Sequence, residues 1–389
     1  VRDEDYSAFL AIKQRIQAGE VALGPELESL ERILRTSPRF LEARLLAADV
    51  ALSLFASSGK IAYRDRALAL VRQARGLAPS DPRPLQTRFR IAMSGGHPET
   101  AAEVLKEIET LLPGDPETLA MRATLDRRLG RTNEALAGRR AAVERAPSWR
   151  NLFQLASLEA EAGQIAESRQ HFEDALELSP GNRWALEKLA WLELTYGDLA
   201  RAEKRYLELA AVSARDTVFT NLGIARALQG RHDAAIAAYR QALSIEPGQI
   251  YATLNLADSE LSLGLRGQAE GHYRDVLQQL ERNRPPEGFS AEDSMVEAQC
   301  LARLGQTSKA VEVTQRSLRQ SPDNPHVLYA AAMVYALVGD RASALVNARS
   351  ALEKGMQTRF FQIPAFDGLR NDPELQPLLA RRPGVTPER

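Results

Sequence analysis

Few residues here have types and spacings that suggest chemistry. The five histidines, His97, His171, His232, His272 and His326, include no pair four apart, and none stands at a zinc-type spacing from the single cysteine, Cys300. Cys300 lies among Ala298 and Leu301 with no neighbouring histidine or basic cluster to lower its pKa, so it reads as a buried structural thiol. No glycine-rich phosphate loop, G-x-S-x-G elbow or kinase-type catalytic segment occurs. The expectation is a chain that is not itself an enzyme, with no catalytic residue, no metal and no cofactor. What remains is recognition chemistry. Asn221 and Asn255 stand 34 residues apart, and an amide, with its donor and its acceptor, can bracket the peptide group of an extended chain. Around them lie Trp184, Lys188, Trp191, Ile224, Tyr251 and Asp258, whose aromatics offer contact area at low entropic cost.

The spacing of the asparagines is the spacing of the whole chain. From Asp216 to Pro247 the sequence reads DTVFTNLGIARALQGRHDAAIAAYRQALSIEP. Small residues, Gly223, Ala235 and Ala242, fall where two helices must approach closely, Leu222 and Tyr239 fill the space between, Gly230 marks the turn and Pro247 ends the second helix. The stopping prolines recur: Pro79 to Pro113 is 34 residues, Pro113 to Pro147 34, Pro147 to Pro180 33 and Pro180 to Pro247 67, two units. This pattern resembles the tetratricopeptide repeat (TPR). It predicts helix pairs at about 82–113, 116–147, 149–180, 183–215, 216–247, 250–280, 291–322 and 325–356, with Ala101, Ala135, Ala202, Ala235, Ala269, Ala310 and Ala344 in one phase and Gly130, Gly163, Gly197, Gly230, Gly264, Gly305 and Gly339 in another.

Two looser pairs precede these. Residues 41–79 carry an insertion, ASSGKIAYRD, between their helices, and residues 5–38 have the character of an N-terminal capping unit. Arg282 to Asp293, RNRPPEGFSAED, breaks the period and reads as a loop, whose Phe289 is a second, weaker docking candidate. After Gly355, Phe360, Phe361, Ile363, Phe366 and Leu369 are expected to cover the last repeat's open face. Asp372-Pro373 is then expected to open a short helix, with a frayed tail from Arg382. The fold expected is all-α, a single TPR solenoid over 1–389 with about ten helix pairs: divergent pairs over 1–80, regular repeats over 81–280, an inserted loop at 281–293, two further repeats over 294–356 and a C-terminal cap and tail over 357–389. The resemblance implies a right-handed superhelix.

Composition excludes several function classes. Fifty basic against 51 acidic residues leave a net charge of −1, which gives no electrostatic footprint for nucleic acid. One cysteine rules out an internal disulfide framework. The longest apolar run, Val327 to Val338, is too short to span a bilayer. No signal peptide is visible, and the start at Val1 suggests a fragment or processed product.

In a TPR solenoid the first helix of each pair lines the concave face. That resemblance turns Trp184, Lys188 and Trp191, then Asn221 and Ile224, then Tyr251, Asn255 and Asp258 into a candidate groove for a protein or peptide ligand. Asn221 and Asn255 resemble the asparagine ladder of the O-GlcNAc-transferase-type superhelix, whereas Lys188, Asn221 and Asn255 match the carboxylate clamp of chaperone-binding TPRs only in part. The same side chains have a structural reading, with the amides linking neighbouring repeats and Trp191 packing.

Four segments carry a more specific resemblance. They are APSWRNLFQLASLEAEAGQIAESRQHFEDALELSPGN (146–182), WALEKLAWLELTYGDLARAEKRYLEL (184–209), MVEAQCLARLGQTSKAVEVTQRSLRQSPDNPHVLYAAAMVYALVGDRASALVNARSALEKG (295–355) and the following RFFQIPAFDGLRNDPELQPLL. Together they are similar to the C-terminal TPR region of bacterial serine/threonine protein kinases. Similar tails ending in DP-x-[LF]-x-x-LL occur in adenylate-cyclase-like and CadC-type regulators. The resemblance implies a non-catalytic sensory or partner-binding region of a signalling kinase. The alternative is an assembly adaptor for envelope machinery, in secretion or polysaccharide export. Oligomeric state and compartment, cytoplasmic or periplasmic, stay open.

Overall fold

The computed structural model describes residues 1–18 and 22–380. Among these the chain is all helical, in pairs: α1 (Asp3–Ala18) and α2 (Leu23–Thr36); α3 (Leu41–Ser58) and α4 (Ile61–Leu77); α5 (Arg83–Ser94) and α6 (Pro98–Leu111); α7 (Pro116–Arg128) and α8 (Thr132–Arg145); α9 (Trp149–Glu161) and α10 (Ile165–Leu178). Then come α11 (Arg183–Thr195) and α12 (Leu199–Val212); α13 (Asp216–Leu228) and α14 (His232–Ile245); α15 (Ile250–Ser262) and α16 (Arg266–Arg282); α17 (Ala291–Arg303) and α18 (Thr307–Gln320); and α19 (Pro325–Leu337) and α20 (Arg341–Glu353). Two short 3-10 turns, Thr358–Gln362 and Pro364–Phe366, lead to α21 (Gln376–Leu379). The chain divides into two compact units, Val1–Leu155 and Ala156–Arg389, with the division inside α9.

Local chemistry explains where the helices begin and end. Asp115, Asn182, Asp198, Ser290, Asn324 and Asp340 each cap a helix by accepting from a backbone N–H in its first turn. First helices stop at a left-handed glycine in six of the seven predicted turns, from Gly130 (φ 75°) to Gly339 (φ 83°). Gly197 is the exception. A Cβ there would lie 1.7 Å from Glu193 Oε2, so glycine is required by a carboxylate folded against the turn and not by the backbone angle.

Within each pair, close approach depends on missing side chains. Ala101, Ala135, Ala202, Ala235, Ala269, Ala310 and Ala344 are all fully buried. The eighth residue of α12, α14 and α16 is a buried tyrosine, Tyr206, Tyr239 or Tyr273. A Cβ on Gly223 would meet the Tyr239 ring at 2.3 Å, so α13 and α14 cross where α13 has no side chain.

Several expectations need correction. ASSGKIAYRD is no loop between helices: it lengthens α3 and α4, which meet at a left-handed Gly59 (φ 67°). Phe289 is half-buried, packed on the core of α15–α17 under the Arg284 guanidinium at 4.4 Å, so it is not a free docking point. Pro373 does not open the last helix, which begins at Gln376 with Pro377 in its first turn, while Asp372 is engaged by Arg341 at 2.7 Å. Phe361, Phe366 and Leu369 do bury against the last pair, with Phe360 and Ile363 half-buried beside them. The tail from Arg382 lies outside the described residues.

At the N-terminus, buried Asp5 ties α1 to the end of α2: Arg2 Nε donates to it at 2.9 Å, the Thr36 hydroxyl at 2.9 Å and the Ser37 hydroxyl at 2.7 Å. These donors hold the Asp5 carboxyl far below the usual range, Arg2 contributing most.

Two predictions follow from the packing. Gly223→Ala should destabilise the chain by about 1–3 kcal/mol in urea unfolding through overpacking, whereas Gly271→Ala, with open space around its Cβ site inside α16, should be neutral or stabilising by up to about 1 kcal/mol. Because Asp5's pKa is depressed on folding, its contribution is present above the unfolded value of about 3.9 and is lost as pH falls below it. Hydrogen exchange in α1 should therefore accelerate as pH drops through that range, after correction for the intrinsic rate. Asp5→Asn should bring the fast exchange to neutral pH and flatten the dependence.

Candidate functional site

The eight predicted groove residues separate into two sets. Trp184, Lys188 and Trp191 on α11 and Tyr251 on α15 present themselves to solvent, with Trp184 50%, Trp191 45% and Tyr251 48% exposed. Trp184 and Tyr251 are each the second residue of a first helix, two repeats apart. The two tryptophans are oriented by their neighbours: Arg183 lies 4.6 Å over the Trp184 ring, and Tyr196 meets Trp191 edge-on at 5.8 Å. Lys188 has no ion pair among the described residues, whereas Glu187 beside it is held by Arg215 at 2.7 Å. The Tyr251 hydroxyl is raised by burial, with Asp293 and Glu292 adding to it. The exposed face is thus basic at Lys188 and acidic beside Tyr251.

The other four are half-buried. Asp258 accepts from the Tyr273 hydroxyl at 2.5 Å and pairs with Arg303 at 3.1 Å, linking α15, α16 and α17. Ile224 packs into the core beside Leu222 and Tyr239. Asn221 is half-buried on α13. Asn255 is half-buried too, at the equivalent sixth position of α15. The physical reason is one of position: the inner turns of first helices also carry the contacts between repeats.

First helices also carry a set of buried charges that no motif marks. The eleventh residue of five successive first helices is Asp126, Glu159, Glu193, Arg226 and Glu260. The four acids are nearly or fully buried, and each meets a basic side chain. Arg131 holds Asp126 at 2.8 Å, Arg169 holds Glu193 at 2.8 Å, and His171 and His272 approach Glu159 and Glu260 at 2.7 and 2.8 Å. In both histidine pairs the tautomer with Nδ1–H donating satisfies the carboxylate. Those histidines therefore pair with the first helix of their own repeat. Where the column switches to Arg226, its partner switches too: Glu203 meets it at 2.8 Å from the fifth position of α12, which Arg169 occupies in α10. The 33- and 34-residue spacing of the acids was the available signal.

Glu193 is the most connected of these groups. It also accepts the Asp198 backbone N–H at 2.9 Å. The helix end it occupies receives Arg359, which donates to the carbonyls of Glu193 (3.1 Å), Leu194 (2.6 Å) and Gly197 (2.5 Å). A cation placed on the last carbonyls of a helix is favoured by both hydrogen bonding and the helix dipole. Burial lowers the Arg359 pKa, with Glu193 and Asp198 opposing. Tyr329 holds the same segment from α19, its hydroxyl donating to the Phe360 carbonyl at 3.1 Å.

Among the described residues, no group of three or more His, Cys, Asp or Glu could hold a metal, and no helix is long and apolar enough to cross a membrane. Cys300 is buried, and burial pushes its thiol well up, away from the thiolate a nucleophile needs.

Comparison with known proteins agrees with this geometry. Tetratricopeptide-repeat family models match residues 150–182 and 187–250. The chain is 25% identical over 227 residues to the tetratricopeptide repeat and J domain-containing co-chaperone DNJ1 of Fusarium oxysporum f. sp. lycopersici, a match covering 58% of this chain and 37% of that protein. It is 24% identical over 200 residues to the DnaJ homolog subfamily C member 3 of Gallus gallus, covering 49% and 40%. The chain thus spans well under half the length of either relative. A crystal structure of a tetratricopeptide repeat protein from Parabacteroides merdae superposes with a TM-score of 0.52 at 17% identity, over 67% of this chain and all of that one. At that identity the likeness concerns the fold, which is a TPR solenoid.

The Arg359 contacts generate a local test. Arg359→Ala should remove about 1.5–3 kcal/mol of local stability. Amide exchange should then rise together at residues 193–199 and 358–366, with α13–α15 unchanged. A rise confined to 358–366 would show that the two segments do not depend on each other.

Proposed function

We propose that this chain is a non-catalytic scaffold that takes an extended segment of a protein partner on the first helices between Arg183 and Ser262. The observation that carries this reading is the set of three large aromatics, Trp184, Trp191 and Tyr251, each about half exposed, around an exposed Lys188. Buried aromatic and cationic contacts dominate protein recognition, and rigidly oriented aromatics lose little entropy on binding. Trp184 and Tyr251 would receive apolar side chains. Lys188 would meet an acidic group or carbonyl, and the Asn255 amide a peptide group. Asn221 and Asp258 shape the wall, and Ile224 lies beneath it. The co-chaperone name of the Fusarium relative supports a polypeptide as the ligand.

The finer proposal rests on the kinase-like segments quoted above: the chain serves as the sensory or partner-binding region of a bacterial serine/threonine kinase signalling protein. Co-purification of a tagged full-length gene product would place it there if phosphoryl transfer accompanied it. Secretion or export components recovered without kinase activity would favour the envelope adaptor instead.

The groove has its own test. The double variant Trp191→Ala, Tyr251→Ala should lose about ten-fold or more in affinity for peptides selected from an unstructured library on the unaltered chain, with an unchanged melting temperature. Full affinity in the folded variant would remove this face from consideration.

A further inference from the structure

Several arginines in the first unit are tightly paired. Arg122 meets Glu109 at 2.6 Å, Arg90 meets Asp49 at 2.7 Å and Arg83 meets Asp81 at 2.6 Å. The cleft between α4, α5 and α6 is different. It has a volume of about 500 Å³, a buried apolar floor that includes Val71 and Leu85, and a wall carrying Arg72, Arg75 and Arg88. Its acid is Glu107, and that carboxylate stands 3.9 Å from Arg75 and 4.0 Å from Arg88, too far for a hydrogen bond to either. Arg72 has no ion pair among the described residues, and Arg75 Nη1 is buried without a hydrogen-bond partner. Three guanidinium groups against one carboxylate leave two positive charges uncompensated beside an apolar floor.

A buried guanidinium N–H without an acceptor is costly, and a planar fork of such donors matches a carboxylate or phosphate group. The volume lies in the range of small-molecule sites, about 300–1,000 Å³. We infer that this cleft binds a small amphiphilic anion, its carboxylate or phosphate head among Arg72, Arg75 and Arg88 and its apolar body on Val71 and Leu85. The site is separate from the aromatic face of the second unit, and neither depends on the other. Glu107 occupies the edge of the head-group position and acts as a weak internal competitor.

The test is calorimetric titration of the whole chain with octanoate, octyl phosphate and inorganic phosphate, the amphiphiles kept below their micelle concentrations. One-to-one binding of octanoate or of octyl phosphate is expected, and the stronger of the two identifies the head group. Arg75→Gln and Arg88→Gln should each weaken it about ten-fold or more. Glu107→Gln, at an exposed position, should tighten it several-fold, a gain that damage to the fold would not produce. The inference is overturned by absence of saturable binding, by arginine variants that bind as before, by weakening in Glu107→Gln, or by inorganic phosphate binding as tightly as octyl phosphate.

Discussion

Two helices can lie close together only where one of them lacks a side chain, and this molecule is arranged around that constraint. Gly223 against Tyr239 is its sharpest instance, since even one methyl group would overlap the ring. The buried alanines at the same level in the neighbouring pairs act likewise, and the tyrosines Tyr206, Tyr239 and Tyr273 fill the remaining space. A pair built this way still exposes an apolar face, so it gains stability only when the next pair covers it. The cap shows the consequence: Phe361 and Phe366 are fully buried because α19 would otherwise end the stack with an open side.

Polar groups that pass through such a stack must be satisfied within it. The acids at the eleventh position of the first helices are deep enough that an unpaired carboxylate would be strongly destabilising. Each therefore meets a basic side chain, and the switch from Arg169–Glu193 to Glu203–Arg226 shows that complementarity is kept even where the signs reverse. Such pairs contribute little net stability compared with apolar packing, but they disfavour any register in which a charge faces the wrong neighbour. At Glu193 the same requirement extends to the backbone, where Arg359 satisfies the last carbonyls of α11.

Recognition then falls to what the internal pairing leaves over. Asp258 is consumed by Tyr273 and Arg303, and Asn221 is half-buried. Trp184, Lys188, Trp191 and Tyr251 remain exposed, so the proposed ligand face is narrower than the column of first-helix positions from which it is drawn.

Sequence alone determined the repeat, its phase and the identity of its small positions, because these follow from local periodicity: glycine and alanine where helices cross, glycine at the turns, proline at the stops. It also determined that Cys300 is buried, since its neighbours on the helix are apolar. Gly197 marks the limit, for it carries the same letter in the same phase as Gly230 yet is required by Glu193 and not by a left-handed backbone. Whether ASSGKIAYRD forms a loop or lengthens two helices was likewise undetermined, since both fit its composition. The tertiary structure alone decided which polar residues are free. Asn255, Asp258 and Trp191 share a helical face by sequence, but partners such as Arg303 come from other repeats, and Arg359 reaches carbonyls 162 to 166 residues away. Helical periodicity places a side chain on a face; only the packed neighbours determine whether that face is already occupied.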